Sequence, residues 1–225
     1  MSYELVIFDL DGTLLNTIHD LGTAVNYALS LRNLPYHSME EYKTMVGHGI
    51  KDLVTKALPQ EYRSDTSFVD STLKDFRSYY STHIDVYTRP YEGIRELLEE
   101  LHKKNIRIAV ASNKFQEGTE HLIKCFFPGI AFTAVFGNKE GAPLKPDPVL
   151  VENAISLAAC SKGKTIMVGD SRTDILTAVN GGIDAVAVTW GFRPREELVS
   201  ALSELSPTGK IADTVGELRS ILLER

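Results

Sequence analysis

Cysteine is nearly absent from this chain: 225 residues contain two, Cys125 and Cys160. Neither lies in a C-x-x-C or other metal-ligand spacing, which argues against a disulfide framework or a cysteine-bound metal. The expectation is two reduced, mostly buried thiols in a cytoplasmic protein. No basic segment followed by an apolar stretch precedes the first strand pattern, so no signal peptide is expected. No apolar run approaches the length needed to span a bilayer. Low-complexity tracts and internal repeats are also missing. There is no excess of positive charge: 24 Lys and Arg face 30 Asp and Glu, for a net charge of −6 and a pI near 5.5. That balance argues against nucleic acid or an anionic membrane surface as the main partner. An anionic substrate would need a local site that overcomes an unfavourable overall field.

What is present is an ordinary globular composition, 43% hydrophobic and 24% charged. The length suits one domain of about 200 residues, or a domain carrying an insert. The most informative stretch is Val6-Ile7-Phe8-Asp9-Leu10-Asp11-Gly12-Thr13-Leu14. An apolar run with strand character ends in two carboxylates one residue apart. Alternation along a strand sends Asp9 and Asp11 to the same side, and Gly12 lets the backbone turn away. Two like charges so close repel, and burial without compensation is costly. A divalent cation is the simplest positive partner.

Beyond this strand the apolar spacing is helical: Ile18, Leu21, Val25, Ala28 and Leu29; then Ile50, Leu53, Val54, Ala57 and Leu58, stopped by Pro59; then Phe68, Leu73, Phe76, Tyr79 and Tyr80. Ser38 with Glu41 forms a capping-box signature. Nothing from about 16 to 86 reads as strand, and Pro90 marks a turn. An alternation follows. Helices are expected at 94–101, 116–126, 147–159, 172–180, 194–204 and 214–224, and strands at 106–111, 134–136, 165–168 and 185–188. This order implies right-handed crossovers and a doubly wound parallel α/β sheet with helices on both faces. Residues 16–86 read as an inserted all-helical cap domain. Residues 1–15 and 87–225 read as the core.

In such sheets ligands bind beyond the carboxyl ends of the strands. Asp9 and Asp11 follow the first strand, and Ser112 and Asn113 follow the second. Lys145 lies in Leu144-Lys145-Pro146-Asp147-Pro148 after the third. Gly169, Asp170, Ser171 and Asp174 follow the fourth. Alone, each has a plainer reading as a cap, a turn or a surface lysine. As an ordered set, each at a strand end, they suit a phosphoryl group and a magnesium ion.

The four segments, spanning about residues 9–174, resemble the four signatures of the haloacid dehalogenase (HAD) superfamily, and the fold implied is its Rossmann-like core. The resemblance implies a Mg2+-dependent phosphomonoester hydrolase. Asp9 would be the nucleophile that forms an aspartyl-phosphate, and Asp11 the general acid and base. Magnesium would be held by Asp9, the Asp11 backbone carbonyl and Asp170. Ser112, the Asn113 backbone and Lys145 would cradle the phosphate oxygens, and Asp174 would orient Lys145 or a metal-bound water. The dehalogenase branch lacks an acid two residues after the nucleophile, so Asp11 favours a phosphate ester. The cap resembles that of the phosphoglycolate phosphatase branch. There Gly47-His48-Gly49 opens a helix whose N-terminus suits a carboxylate, with His48 and Lys51 adding charge. A small phosphorylated acid such as 2-phosphoglycolate is therefore expected. Rivals are pyrophosphate, nucleoside monophosphates and sugar phosphates. A sugar-phosphate mutase would carry an Arg in the cap loop, where Val46–Lys51 has none. Lys51 keeps open an imine-forming phosphonate hydrolase. A receiver-like signalling module would be about half this length and lack the insert.

Overall fold

The computed structural model describes residues 3–223; residues 1, 2, 224 and 225 of the expected core lie outside them. The first strand, β1 (Leu5–Phe8), is fully buried along its length. That continuous apolar character marks a strand covered on both faces. Its neighbours bear this out. β4 (Arg107–Phe115) and β6 (Thr165–Gly169) flank it in parallel, with Leu5 opposite both Arg107 and Thr165. β5 (Ala134–Asn138), β7 (Asp184–Val188) and β8 (Lys210–Ala212) complete a parallel sheet in the order β5-β4-β1-β6-β7-β8.

Alternation divides the strand residues between two apolar layers. Leu5, Ile7, Ala109 and Met167 face α7 (Val149–Ala158) and α8 (Arg172–Gly181) through Val151, Ala154 and Ala178. Val6, Phe8, Val110 and Val168 join a larger cluster with Leu97, Leu98 and Leu101 of α5 (Ile94–Lys103), Leu122 of α6 (Gln116–Phe126) and Leu218 of α10 (Val215–Leu223). α9 (Arg195–Leu205) packs beside α8. The alternation of strands and helices expected from the sequence is thus present.

Between β1 and α5 stand four α-helices: α1 (Ile18–Ser30), α2 (Met39–Met45), α3 (Ile50–Ala57) and α4 (Thr66–Tyr80). They pack mainly on one another, α1 on α2 and α4, α3 on α2 and α4. The Ser38–Glu41 capping box forms as expected, with Glu41 N donating to Ser38 Oγ at 3.3 Å and Ser38 N to Glu41 Oε2 at 2.8 Å. The segment is attached by two short strands, β2 (Leu15–Asn16) and β3 (Arg89–Pro90), paired antiparallel. A buried carboxylate reinforces this junction: Asp20 accepts from Thr88 N at 2.8 Å, Thr88 Oγ1 at 2.7 Å and Tyr87 N at 3.0 Å.

Four expectations need correction. Pro90 lies in β3 rather than at a turn; the edge position tolerates its missing N–H. β4 runs on to Phe115, so Ser112 and Asn113 belong to the strand's end, with a register shift against β5 between Ala111 and Phe115. β8 was not anticipated, because three residues give no period to read. Cys125 is exposed and Cys160 only half-buried, the latter accepting from Arg107 Nη1 at 2.8 Å. No helix among the described residues is long and apolar enough to cross a membrane.

Candidate active site

The carboxyl ends of β1, β4 and β6 meet under the helical segment. Asp9 N donates to Val168 O at 2.9 Å, which fixes the end of β1 against β6. The chain then turns at Gly12, whose φ is 86°. A Cβ there would come within 2.2 Å of Asp170 Oδ2, so only glycine lets the β1 turn approach that carboxylate.

Lys145 supplies the central cation. Its side chain is 2% exposed, and Nζ lies 2.8 Å from Asp9 Oδ1 and 2.6 Å from Asp174 Oδ1. Burial works to lower its pKa, but Asp174 and Asp9 together hold it above the usual lysine range. Asn113 anchors the backbone of that lysine. Its Oδ1 accepts from Lys145 N at 2.8 Å, and its Nδ2 donates to Lys145 O at 3.1 Å and to Gly47 O at 2.9 Å. One amide therefore joins the Lys145 loop to the helical segment. Asp174 is held in turn by Ser171, whose Oγ donates to Asp174 Oδ2 at 2.6 Å in a capping box that opens α8. Ser112 is buried, and its Oγ accepts from Lys114 N at 3.2 Å.

Asp9, Asp170 and Asp174 are buried, with carboxylate oxygens within 4.8 Å of one another. Burial pushes the Asp9 carboxyl up to about 7; Lys145 opposes this, while Asp174 and Asp11 add to it. Burial, then Asp174 and Asp9, holds Asp170 well above the usual carboxylate range, although Phe192 N donates to its Oδ2 at 2.7 Å. Three carboxylates around one ammonium leave an excess of buried negative charge. A hard divalent cation fits that donor set. The carboxylate of Asp11 points elsewhere, to Lys114 Nζ at 3.2 Å.

Asp9, Asp11, Ser112, Asn113, Lys145 and Asp170 line one side of a cavity of about 40 Å³, and Gly47, Gly49, Ile50 and Leu53 line the other. By volume it has room for about three waters. The structure does not bring His48 and Lys51 to it. His48 is exposed, and Lys51, 58% exposed, pairs with Asp70 at 2.7 Å beside a separate open groove. Between two glycines the loop carries no periodicity that would have indicated its facing. Two charged lining residues were missed. Lys114 follows Ser112-Asn113 directly, and that adjacency was a usable signal. Arg193, beyond β7, donates to the Lys43 and Val46 carbonyls of the helical segment and pins its loop; nothing in its local sequence distinguishes it.

The profile of the haloacid dehalogenase-like hydrolases matches residues 6–188. A phosphoglycolate phosphatase from Mesorhizobium japonicum is 35% identical over 196 residues, covering 87% of this chain and 86% of its own. One from Vibrio parahaemolyticus is 27% identical over 97% of this chain and 96% of its own. A crystal structure from Lactobacillus delbrueckii subsp. bulgaricus, provisionally described as a phosphoglycolate phosphatase, superimposes with a TM-score of 0.91 at 30% identity, covering both chains completely. A carboxylate-rich sheet edge, a helical insert over it and these relatives lead to one assignment: the chain belongs to the haloacid dehalogenase-like hydrolases and is a phosphatase.

Proposed function

We propose that this phosphatase hydrolyses a small phosphorylated acid such as 2-phosphoglycolate, with Mg2+ and through an aspartyl-phosphate on Asp9. The observation that carries the chemistry is the Asp9–Lys145–Asp174 chain, with Asp170 beside it and Asp11 two residues beyond the nucleophile. Asp9 Oδ attacks phosphorus, and the bond to the ester oxygen breaks. Asp11 gives its proton to that oxygen, then takes one from the water that cleaves the acyl phosphate. The Lys145 ammonium, the Ser112 hydroxyl and the Asn113 backbone N–H hold the oxygens where charge spreads. Asp174 keeps Lys145 in place. Asp9, Asp170 and the Asp11 backbone carbonyl would hold the Mg2+, which when bound neutralises phosphate and carboxylate charge.

Residues 16–86 are read as the cap, closing over the bound phosphate and excluding water. The substrate's carboxylate is assigned to the free N–H groups that open α3 behind Gly49, a site favoured by the helix dipole. This refines the expectation for His48 and Lys51: the backbone of Gly47–Ile50 carries the recognition, and His48→Ala and Lys51→Ala should leave KM nearly unchanged. A kcat/KM panel of 2-phosphoglycolate, pyrophosphate, nucleoside monophosphates and sugar phosphates tests the substrate. Phosphoglycolate at or below the panel median would refute it while leaving the phosphatase assignment intact. EDTA should abolish activity. Calcium should inhibit, because its looser coordination misplaces the nucleophile.

A further inference from the structure

One buried cation has no part in this scheme. The side chain of Lys114 is 1% exposed. Its Nζ lies 3.2 Å from Asp11 Oδ1 and 3.4 Å from Oδ2. It also donates to Tyr80 Oη at 2.6 Å and stands 4.8 Å from the centre of that ring. Tyr80 is the last residue of α4, fully buried and stacked on Phe76 at 5.2 Å. Among the described residues, Lys114 is the only side chain that hydrogen-bonds the Asp11 carboxylate. Asp11 itself sits just before the turn at Gly12 and is partly open to the cavity, its side chain 13% exposed.

We propose that Lys114 is a positioning residue for Asp11: its ammonium, seated on Tyr80 of the helical insert, holds the Asp11 carboxyl in the rotamer that faces the leaving oxygen. The inference rests on the reading of Asp11 as proton donor. A carboxyl on a turn has several staggered rotamers, and proton transfer requires one of them within hydrogen-bond reach. A fixed ammonium with two contacts to the carboxylate selects that rotamer, and misplacement of a reacting group by about 1 Å can cost about 100-fold. Tyr80 stays a neutral phenol, since burial, then the charges of Asp11 and Asp20, keep its pKa well above the ordinary value. It can therefore accept from Lys114 throughout the reaction. Two core residues and one residue of the insert make up the device, so the acid is correctly set only with α4 packed down.

The leaving group distinguishes this role from a merely structural one. Phenyl phosphate needs a proton on the departing oxygen; 2,4-dinitrophenyl phosphate does not. kcat/KM is measured for phenyl, 4-nitrophenyl and 2,4-dinitrophenyl phosphate with the Mg2+-loaded wild type, Asp11→Asn, Lys114→Met, Lys114→Arg and Tyr80→Phe. Lys114→Met should lose about 100-fold on phenyl phosphate and less than about threefold on the dinitrophenyl ester. Asp11→Asn should slope the same way. Tyr80→Phe should follow the pattern with about a tenth of the effect, and Lys114→Arg should recover part of the loss. Equal loss across the series in Lys114→Met, with a steep slope in Asp11→Asn, overturns the role of Lys114 alone. A flat series in Asp11→Asn overturns the acid assignment and this inference with it. If circular dichroism shows Lys114→Met unfolded, Tyr80→Phe, which removes one oxygen and keeps the ring, carries the same comparison with the same two outcomes.

Discussion

The two buried regions of this molecule are held together by opposite means. Inside the helical insert, Tyr42, Leu53, Val54, Leu73 and Phe76 pack as an apolar interior. At the edge of the sheet, Asp9, Lys114, Lys145, Asp170 and Asp174 are each 9% exposed or less. Burying apolar area stabilises a fold, whereas burying charge costs several kcal/mol per ion unless pairing offsets it. The edge has three carboxylates around Lys145, and burial together with that crowding raises the pKa of Asp9 and Asp170. An edge so crowded with buried charge is therefore destabilising, and the insert and sheet layers supply the stability that tolerates it.

The largest effect that would sharpen this contrast is at Asp9. Asp9→Asn should lower kcat by about 10⁴-fold or more, since it removes the proposed nucleophile. In EDTA its melting temperature should be equal to or a few degrees above that of wild type, because one of the crowded charges is gone. Calorimetry beside a phosphatase assay checks both. A variant that is inactive and also markedly less stable would break the contrast.

The converse substitution lies in the insert. Phe76 is fully buried. Phe76→Ala should cost about 3–5 kcal/mol, read by urea unfolding. A stability loss under about 1 kcal/mol would mean that the apolar interior is not what holds the insert together.

A smaller effect is expected with pH. The Asp9 carboxyl is raised to about 7 in the fold, against an ordinary value near 4 in the unfolded chain. The fold therefore binds a proton that the unfolded chain has released. This stabilisation is fully present below about pH 4 and is lost as pH rises toward and through about 7. Metal-free protein should melt a few degrees higher at pH 5.5 than at pH 8, and saturating Mg2+ should flatten or invert that trend. Thermal melts in EDTA and in Mg2+ test it; a metal-free melting point that climbs with pH would contradict it.

Much of the fold could be read from the chain because its signals were long or doubled. β1 announced itself by an uninterrupted apolar run, and α2 by a polar cap that forms in the structure. Elements of two or three residues, β2, β3 and β8, could not be read, because pairing with a distant partner defines them and no local period does. The same division holds at the site. Asp9, Asp11, Ser112, Asn113, Lys145, Asp170 and Asp174 could be grouped because each falls at or beyond the carboxyl end of a strand, the natural ligand edge. The facing of His48 and Lys51 could not be read from a glycine-flanked loop. The bonds from Arg193 to the Lys43 and Val46 carbonyls are contacts between segments 150 and 147 residues apart. Such contacts leave no trace in local sequence.

Phosphorylation of Asp9 during turnover can be read by acid-quench mass spectrometry. Enzyme mixed with Mg2+ and 2-phosphoglycolate is quenched within one turnover and digested. One phosphoryl group is expected on the peptide containing Asp9, localised to that residue, labile at neutral pH and missing in Asp9→Asn. Steady turnover with an unmodified Asp9 peptide at every quench time would contradict it.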